Sequence, residues 1–411
     1  MGRTILRGTF MLDCTGAEPR DDAVSIAVEG DRIAEISSST STGAPDQVLD
    51  LGGLTLLPGL LDLHSHLGVI SWQPHEGYSG AMIAALMFDN ARRCLASGHT
   101  TVRETGGADH GLVSVIERGL VEGPRVYPSG RSICQTSGHG DMRPLWWEHH
   151  CNVGYPGLAQ LSTVADGVDE VRKAARENFR AGATQLKACM SGGILSHYDK
   201  LTDTQLSFEE LAVMVEEAAA RGTYVTGHAV NSAAIELGLR AGLRCFEHAF
   251  FLSRETADHI VAADASVVFT LGVLDRLARN GAEWGISADR IAKIAEVRRA
   301  SLSSLEIARD AGVRIGCGTD LIGPEQSGRG GEIGLRADIL GARKAIESAT
   351  RVNAEIMGLG ADLGTLEAGK LADVIAVRGN PVEDPWILQD ADNVVFVMKA
   401  GVVYKNTLTG D

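Results

Sequence analysis

Apolar and polar positions alternate in short runs at both ends of the chain. Residues 4–12 and 23–36 follow a two-residue period around a Gly-Asp turn at residues 30–31. The same pattern returns in residues 372–377 and 394–404. Successive side chains of a strand point to opposite faces, so this period predicts short antiparallel strands. We therefore expect the two ends of the chain to build one small β-domain together.

The middle of the chain alternates apolar, β-rich runs with helical patterns. A helical pattern over residues 168–182 precedes the run that ends at Lys187, and another over residues 208–221 precedes the run that ends at His228. Parallel strands buried on both faces produce such apolar runs, with helices as their crossovers. The sequence thus predicts an α/β protein, a (β/α)₈ TIM-like barrel with a small β-sandwich domain formed by both chain termini.

The length of the chain agrees with this division. A barrel of about 250 residues or more and one small domain account for 411 residues. We predict residues 1–58 as the N-terminal part of the β-sandwich, residues 59–366 as the barrel, and residues 367–411 as the C-terminal part of the sandwich.

Composition excludes several classes of protein. A net charge of −15 argues against a binder of the nucleic acid backbone, which would need an excess of Lys and Arg. The seven cysteines are odd in number and contain no C-x-x-C pair, which is typical of reduced thiols. No apolar run suits a signal peptide or a membrane span. We expect a cytoplasmic homo-oligomer that acts on a small molecule, without nucleic acid or membrane partners.

Polar side chains close several of the predicted barrel strands, where catalytic groups of this architecture meet. They are His64, His66, Glu104, Lys187, His228, His248 and Asp320. His64 and His66 are two residues apart on a strand, so both can point at one metal ion. Each residue alone also fits a bland interpretation, such as a core histidine or a helix-capping aspartate. Together they predict a metal site.

Lys187 is the most informative member of this set. It closes the apolar run 183–187, where an unpaired ammonium would be costly to bury. Desolvation lowers the pKa of a lysine and favours the free amine. Such an amine can add carbon dioxide and become a carbamate, whose two oxygens can bridge two cations.

The order of these residues, with the flanking segments, resembles the amidohydrolase superfamily with a binuclear metal site. The flanking segments are Leu56-Leu-Pro-Gly-Leu-Leu-Asp and Gly364-Thr-Leu-Glu-Ala-Gly-Lys-Leu-Ala-Asp-Val. Gly98-His-Thr-Thr-Val-Arg and Gln135-Thr-Ser-Gly-His-Gly are similar to the prolidase-like and carboxypeptidase-like branch, which is related to ochratoxin-degrading amidohydrolases. The resemblance implies a metal-dependent hydrolase that cleaves a dipeptide, an N-acyl amino acid or an aryl amide.

The resemblance also implies a ligand set and two catalytic roles. One ion, expected to be Zn²⁺, is held by His64, His66 and Asp320, and the other by His228 and His248. Carboxylated Lys187 and a hydroxide bridge the two ions. Asp320 acts as general base and then as general acid, and His139 polarises the substrate carbonyl.

Substrate contacts are predicted for six residues, which are His139, Arg143, Trp146, Trp147, His197 and Val230. Relatives that bind a free carboxylate often carry a tyrosine where this chain has Val230, so Arg143 or His197 could supply that contact instead. Arg143 is equally compatible with a solvated loop. Trp146 and Trp147 suit either a substrate pocket or a subunit interface.

Three alternatives to an amide hydrolase stay open from the sequence. The same site could cleave a carbamate, a phenylurea or a lactone. A mononuclear deaminase on the same barrel would not need Lys187 as a ligand. A non-catalytic scaffold would be expected to lack some of the metal ligands, and all six are present in this chain.

Overall fold

The structure is a computed structural model that describes residues 2–38, 45–70, 78–143, 161–194, 196, 199–323 and 326–408. Three predicted substrate contacts, Trp146, Trp147 and His197, lie outside these residues. Within the described ranges, no helix combines the length and the apolar character that crossing a membrane requires.

The strands, in chain order, are β1 (Arg3–Gly8), β2 (Phe10–Met11), β3 (Val24–Glu29), β4 (Arg32–Ser37), β5 (Gln47–Asp50), β6 (Leu54–Pro58), β7 (Leu60–Ser65), β8 (His99–Glu104), β9 (Arg125–Pro128), β10 (Ser132–Cys134), β11 (Ser162–Val164), β12 (Leu186–Cys189), β13 (Val225–Asn231), β14 (Cys245–Phe251), β15 (Ser266–Phe269), β16 (Arg314–Cys317), β17 (Val374–Arg378), β18 (Val394–Lys399) and β19 (Val402–Asn406).

The helices are α1 (Gly80–Ala96), α2 (His110–Glu117), α3 (Val168–Arg180), α4 (Phe208–Ala219), α5 (Ser232–Ala241), α6 (Arg254–Ala262), α7 (Leu271–Asn280), α8 (Ala288–Ala311), α9 (Gly331–Leu340), α10 (Ala342–Ser348) and α11 (Arg351–Ile356). Two short 3₁₀ helices, Pro385–Gln389 and Ala391–Asn393, precede β18.

Both ends of the chain contribute to the same sheet. Its strand order is β19-β18-β17-β6-β2, and Leu57 of β6 lies opposite Ile375 of β17. A second sheet, with the order β4-β3-β1-β5, packs nearby. Buried side chains from the two sheets, such as Leu6, Ile26 and Phe396, share one apolar core. The two ends therefore fold together, while the domain boundaries given above stay predictions.

The middle of the chain forms two parallel sheets. One has the order β11-β10-β12-β13-β14-β15-β16 and the other the order β7-β8-β9. Their registers are parallel throughout, with Lys187 beside Thr226 and Ala229 beside His248. Helices connect most successive strands, as buried parallel sheets require. The predicted α/β character is confirmed.

Local sequence fixes where these helices begin. Ser207 and Glu210 form a capping box at the start of α4, because each side chain accepts from the other residue's backbone N–H. Asn231 is the last residue of β13 and also the N-cap of α5. The strand that carries His228 therefore runs straight into a capped helix.

Candidate active site

Three predicted ligands meet where β7 ends and just after β16. The Nε2 atoms of His64 and His66 are 3.2 Å apart. Oδ1 of Asp320 lies 3.4 Å from Nε2 of His64 and 3.2 Å from Nε2 of His66. Burial by itself raises the pKa of Asp320, but the histidines, His64 foremost, outweigh it and hold that pKa well below its usual range. The three side chains form a group that could hold a metal ion.

The other two predicted histidine ligands join this group. The ring of His248 lies 4.6 Å from that of His64 and 4.5 Å from that of His228, between ring centres. The ring of His139 stacks on that of His228 with 3.9 Å between centres and 15° between planes. These rings, with Lys187 and Asp320, line one cavity of about 100 Å³.

The hydrogen bonds of the rings determine which nitrogens are available to a ligand. Nδ1 of His66 donates to the Gly106 carbonyl at 2.6 Å, and Nε2 of His228 donates to the Gly192 carbonyl at 3.2 Å. A carbonyl oxygen can only accept, so in a neutral ring the opposite nitrogen keeps its lone pair. A histidine in this state is ready to bind a metal ion.

Lys187 is buried in the cavity wall, and its amine has no hydrogen-bond partner among the described residues. Its side chain is 3% exposed. Burial lowers its pKa, which favours the neutral amine. A buried amine that lacks a partner fits the predicted carbamate, which would turn it into an anionic ligand.

Glu104 supports His66 indirectly. Its Oε2 atom accepts from the Gly106 N–H at 3.0 Å, and the Gly106 carbonyl in turn receives the Nδ1–H of His66. Its other oxygen has no partner among the described residues, and burial raises the pKa of Glu104 to about 7.

Comparison with known proteins identifies the group to which this site belongs. The model of the Amidohydrolase family matches residues 55–404. The chain belongs to the amidohydrolase family. Its sequence is 33% identical to ochratoxinase of Aspergillus niger over 375 residues, which covers 85% of this chain and 75% of the relative.

Solved structures that are similar to this chain agree with the assignment to the amidohydrolase family. A prolidase complexed with N-methylphosphonate-L-proline is 36% identical, with a TM-score of 0.93 over 98% of this chain and 100% of that chain. A Xaa-Pro dipeptidase with bound methionine is 28% identical, with a TM-score of 0.88 over 98% and 100%. The protein is thus a hydrolase that acts on amide or peptide bonds, in the prolidase-like branch related to ochratoxinase.

Two predicted substrate contacts lie away from the cavity wall that the described residues form. The guanidinium of Arg143 donates to Asp141, and the distance from Nε to Oδ1 is 2.6 Å. Val230 is fully buried in an apolar cluster with Phe250 and Leu274, behind the wall. His139 does line the cavity, and its Nδ1 lies 3.3 Å from the Ser196 hydroxyl. The binding roles of Arg143 and Val230 stay predictions.

Sequence reasoning missed the apolar side of the amidohydrolase cavity. It is lined by Met142, Leu161, Ile194, Phe250, Val273, Leu274, Leu277 and Ile322. Three of these side chains come from α7, whose start carries no polar motif in the sequence. A helix that packs its apolar face inward is ordinary in any α/β protein, so the sequence alone gave no reason to place α7 at the site.

Proposed function

We propose that this amidohydrolase cleaves the amide bond of a dipeptide, an N-acyl amino acid or an aryl amide at a centre of two divalent metal ions, preferably Zn²⁺. The observation that carries the proposal is the meeting of the four candidate ligand histidines, Asp320 and Lys187 in one cavity, where the buried Lys187 amine has no hydrogen-bond partner among the described residues. Imidazole nitrogens and carboxylate oxygens are the donors that zinc prefers in hydrolases.

The residues that would hold the metal ions divide into two groups. One ion would be held by His64, His66 and Asp320, the other by His228 and His248, with carboxylated Lys187 shared between them. When bound, two such ions lower the pKa of a water molecule toward neutrality and polarise the scissile carbonyl.

The chain's own groups would manage the proton and the substrate. Asp320 would accept the proton of the attacking water and deliver it to the leaving nitrogen. Its backbone N–H donates to the His64 carbonyl at 2.8 Å, which fixes the position of its carboxylate. His139, whose ring stacks on that of His228 in the cavity lining, would hold the oxygen of the substrate carbonyl.

A closed barrel would explain why these groups meet. The structure describes parallel sheets of three and seven strands, and their facing edges are linked near the site. The Asn353 side chain donates to the carbonyls of Leu61 and Cys317, each at 2.8 Å, and so connects β7 with β16. We propose that the sheets close into a (β/α)₈ barrel over residues 59–366, beside a β-sandwich of residues 1–58 and 367–411.

Metal analysis and Lys187→Ala test this proposal together. The zinc-loaded protein is expected to hold about two ions per chain and to cleave members of a panel of dipeptides, N-acyl amino acids and aryl amides. Lys187→Ala should lose metal and activity, because it removes the bridging group. Lys399→Ala is the control, since burial also lowers the pKa of Lys399, but Lys399 is only partly buried, donates to the Gly123 carbonyl and does not line the cavity.

Two outcomes would contradict the proposal. Saturation at one ion with full activity would favour a mononuclear site. A metal-loaded protein that cleaves no member of the panel would refute amide hydrolysis as stated here.

A further inference from the structure

A buried ion pair lies directly behind His64. Arg103 of β8 and Glu247 of β14 are both fully buried, and the guanidinium donates to Oε1 of Glu247 at 2.6 Å. The other carboxylate oxygen, Oε2, lies 2.7 Å from Nδ1 of His64. Removing two charges from water is costly, and apolar side chains of similar volume would often be at least as stable. The pair therefore calls for a role other than stability.

Hydrogen bonds hold the pair in a single arrangement. Arg103 also donates to the Leu63 carbonyl at 2.8 Å and to the Tyr224 hydroxyl at 3.1 Å. Thr226 donates its hydroxyl to the same carboxylate oxygen of Glu247 that receives Arg103. With one oxygen held by two donors and the other facing His64, the carboxylate cannot rotate without losing contacts.

This arrangement determines which nitrogen of a neutral His64 ring carries the hydrogen. Oε1 of Glu247 accepts from the Arg103 guanidinium, which is always charged, and from the Thr226 hydroxyl, and this buried ion pair holds Glu247 as a carboxylate. An ionised carboxylate only accepts hydrogen bonds, and Nδ1 of His64 must therefore carry the hydrogen. In the neutral ring the lone pair then lies on Nε2, which faces His66 and Asp320.

His64 differs in this respect from the other candidate ligands that the structure describes. His66 and His228 donate to backbone carbonyls, and Nδ1 of His248 lies 2.7 Å from the Thr270 hydroxyl. A carboxylate behind an imidazole makes the ring a stronger donor to a metal ion than a neutral acceptor does.

We propose that Glu247 and Arg103 are positioning residues for the metal centre, with Glu247 fixing the Nδ1–H form of His64 and Arg103 fixing Glu247. This inference rests on the proposed function, because His64 is one of the metal ligands proposed there. Backbone irregularity permits the arrangement. His248 has a φ of +75°, which interrupts the strand alternation and lets the adjacent residues 247 and 248 both reach His64.

Glu247→Gln tests the role of the carboxylate. A glutamine offers one accepting oxygen, which cannot serve both His64 and Arg103, and its NH₂ group must face one of them. Competition with a chromogenic chelator should show zinc bound about 10–100-fold more weakly than in the unaltered protein. Glu332→Gln is the matched control. Glu332 is equally buried, and its carboxylate pairs with Arg336 and accepts from the backbone N–H groups of Leu271 and Gly272 rather than from a histidine.

A second measurement separates positioning from general loss of structure. Nitrogen-15 NMR of the histidine rings in metal-free protein, in mildly alkaline buffer, reports which ring nitrogen carries the hydrogen. His64 should be in the Nδ1–H form in the unaltered protein and in Glu332→Gln. In Glu247→Gln its signals should move toward the Nε2–H form or a mixture of the two.

The outcomes are distinct. Unchanged zinc affinity together with an unchanged His64 tautomer in Glu247→Gln would overturn the inference. If the unaltered protein binds no zinc, the proposed metal centre fails, and the tautomer measurement still decides whether Glu247 positions His64. Should Glu247→Gln fail to fold, Thr226→Val removes only the hydroxyl that holds Glu247. The same two measurements are then expected to shift in the same direction by a smaller factor, and no shift in either would overturn the inference.

Discussion

Asp320 combines an unusual backbone conformation with a central place in the site. Its φ is +55°, a left-handed conformation that Asp and Asn adopt more readily than most residues. Asp320→Asn should therefore keep the fold, while kcat falls by a factor on the order of 10²–10⁴ because an amide cannot carry the proton. Steady-state kinetics and thermal unfolding measure the two effects. Asp264→Asn, at an exposed residue with a φ of +50°, is the control and should leave kcat unaltered.

Glu104 should make the stability of the metal-free protein depend on pH. Its pKa in the folded chain, about 7, lies above the ordinary 4.5, so folding favours the protonated carboxyl. Its contribution to the free energy of unfolding is complete below pH 4.5 and is lost as the pH rises through 7. Glu104→Gln mimics the neutral form and should remove this loss. Urea midpoints that fall equally between pH 5 and 8 in both proteins would contradict the expectation.

The sequence predicted the candidate ligands but not the residues behind them. The sequence pointed to six candidate ligands because each closes or follows a predicted apolar run, and the ends of parallel strands meet; they are His64, His66, Lys187, His228, His248 and Asp320. Glu247 could not be chosen in the same way. Its partners His64 and Arg103 are more than a hundred residues away along the chain. The irregular backbone at His248 also breaks the two-residue period, so the sequence pattern does not show that Glu247 and His248 both reach His64.

At the scale of elements, α7 sets the character of the substrate cavity. Leu274 and Leu277 face the cavity, and Leu271 on the same helix is buried in a different cluster. Leu274→Ala should lower kcat/KM about tenfold for amides that carry a large apolar group, and much less for small dipeptides, because the lost contact area matters only to the former.

Leu271→Ala provides the comparison for that variant. Both changes truncate a fully buried leucine and should lower the free energy of unfolding by about 2–5 kcal/mol. Only Leu274→Ala should change the ratio of kcat/KM between the apolar and the small substrate. An equal change in both variants would mean that α7 acts through stability alone.

The sequence predicted strands and helices correctly where the hydrophobic periodicity was strong, and it did not predict them where the periodicity was weak. The apolar runs predicted to end at Lys187 and His228 overlap β12 and β13, which continue past these residues to Cys189 and Asn231, and a helix lies between the two strands as predicted. The short strands β10 and β11, with three residues each, carry too few positions to show a period. The sequence did not predict that α7 lines the cavity for a different reason. An apolar helix face that points inward has the same sequence pattern whether it borders a core or a cavity.

At the scale of the whole molecule, composition and the pattern at both ends anticipated the broad architecture. The α/β character and the joint sheet of both termini are present in the structure. The ion pair between Arg125 and Asp373, at 3.0 Å, ties that sheet region to the parallel strands. Contacts between such distant parts of the chain leave no local signal in the sequence, which is why their partners could not be named in advance.

The joint sheet also bears on how the chain is made. During synthesis β2 and β6 leave the ribosome early, whereas their partner strand β17 follows only after nearly the whole chain has been translated. Until then the pairing edge of β6 stays open, and open edges invite association with other chains. A nascent chain that stalls before β17 would expose this edge indefinitely, so shielding by a chaperone or rapid completion of translation should govern the yield of folded protein.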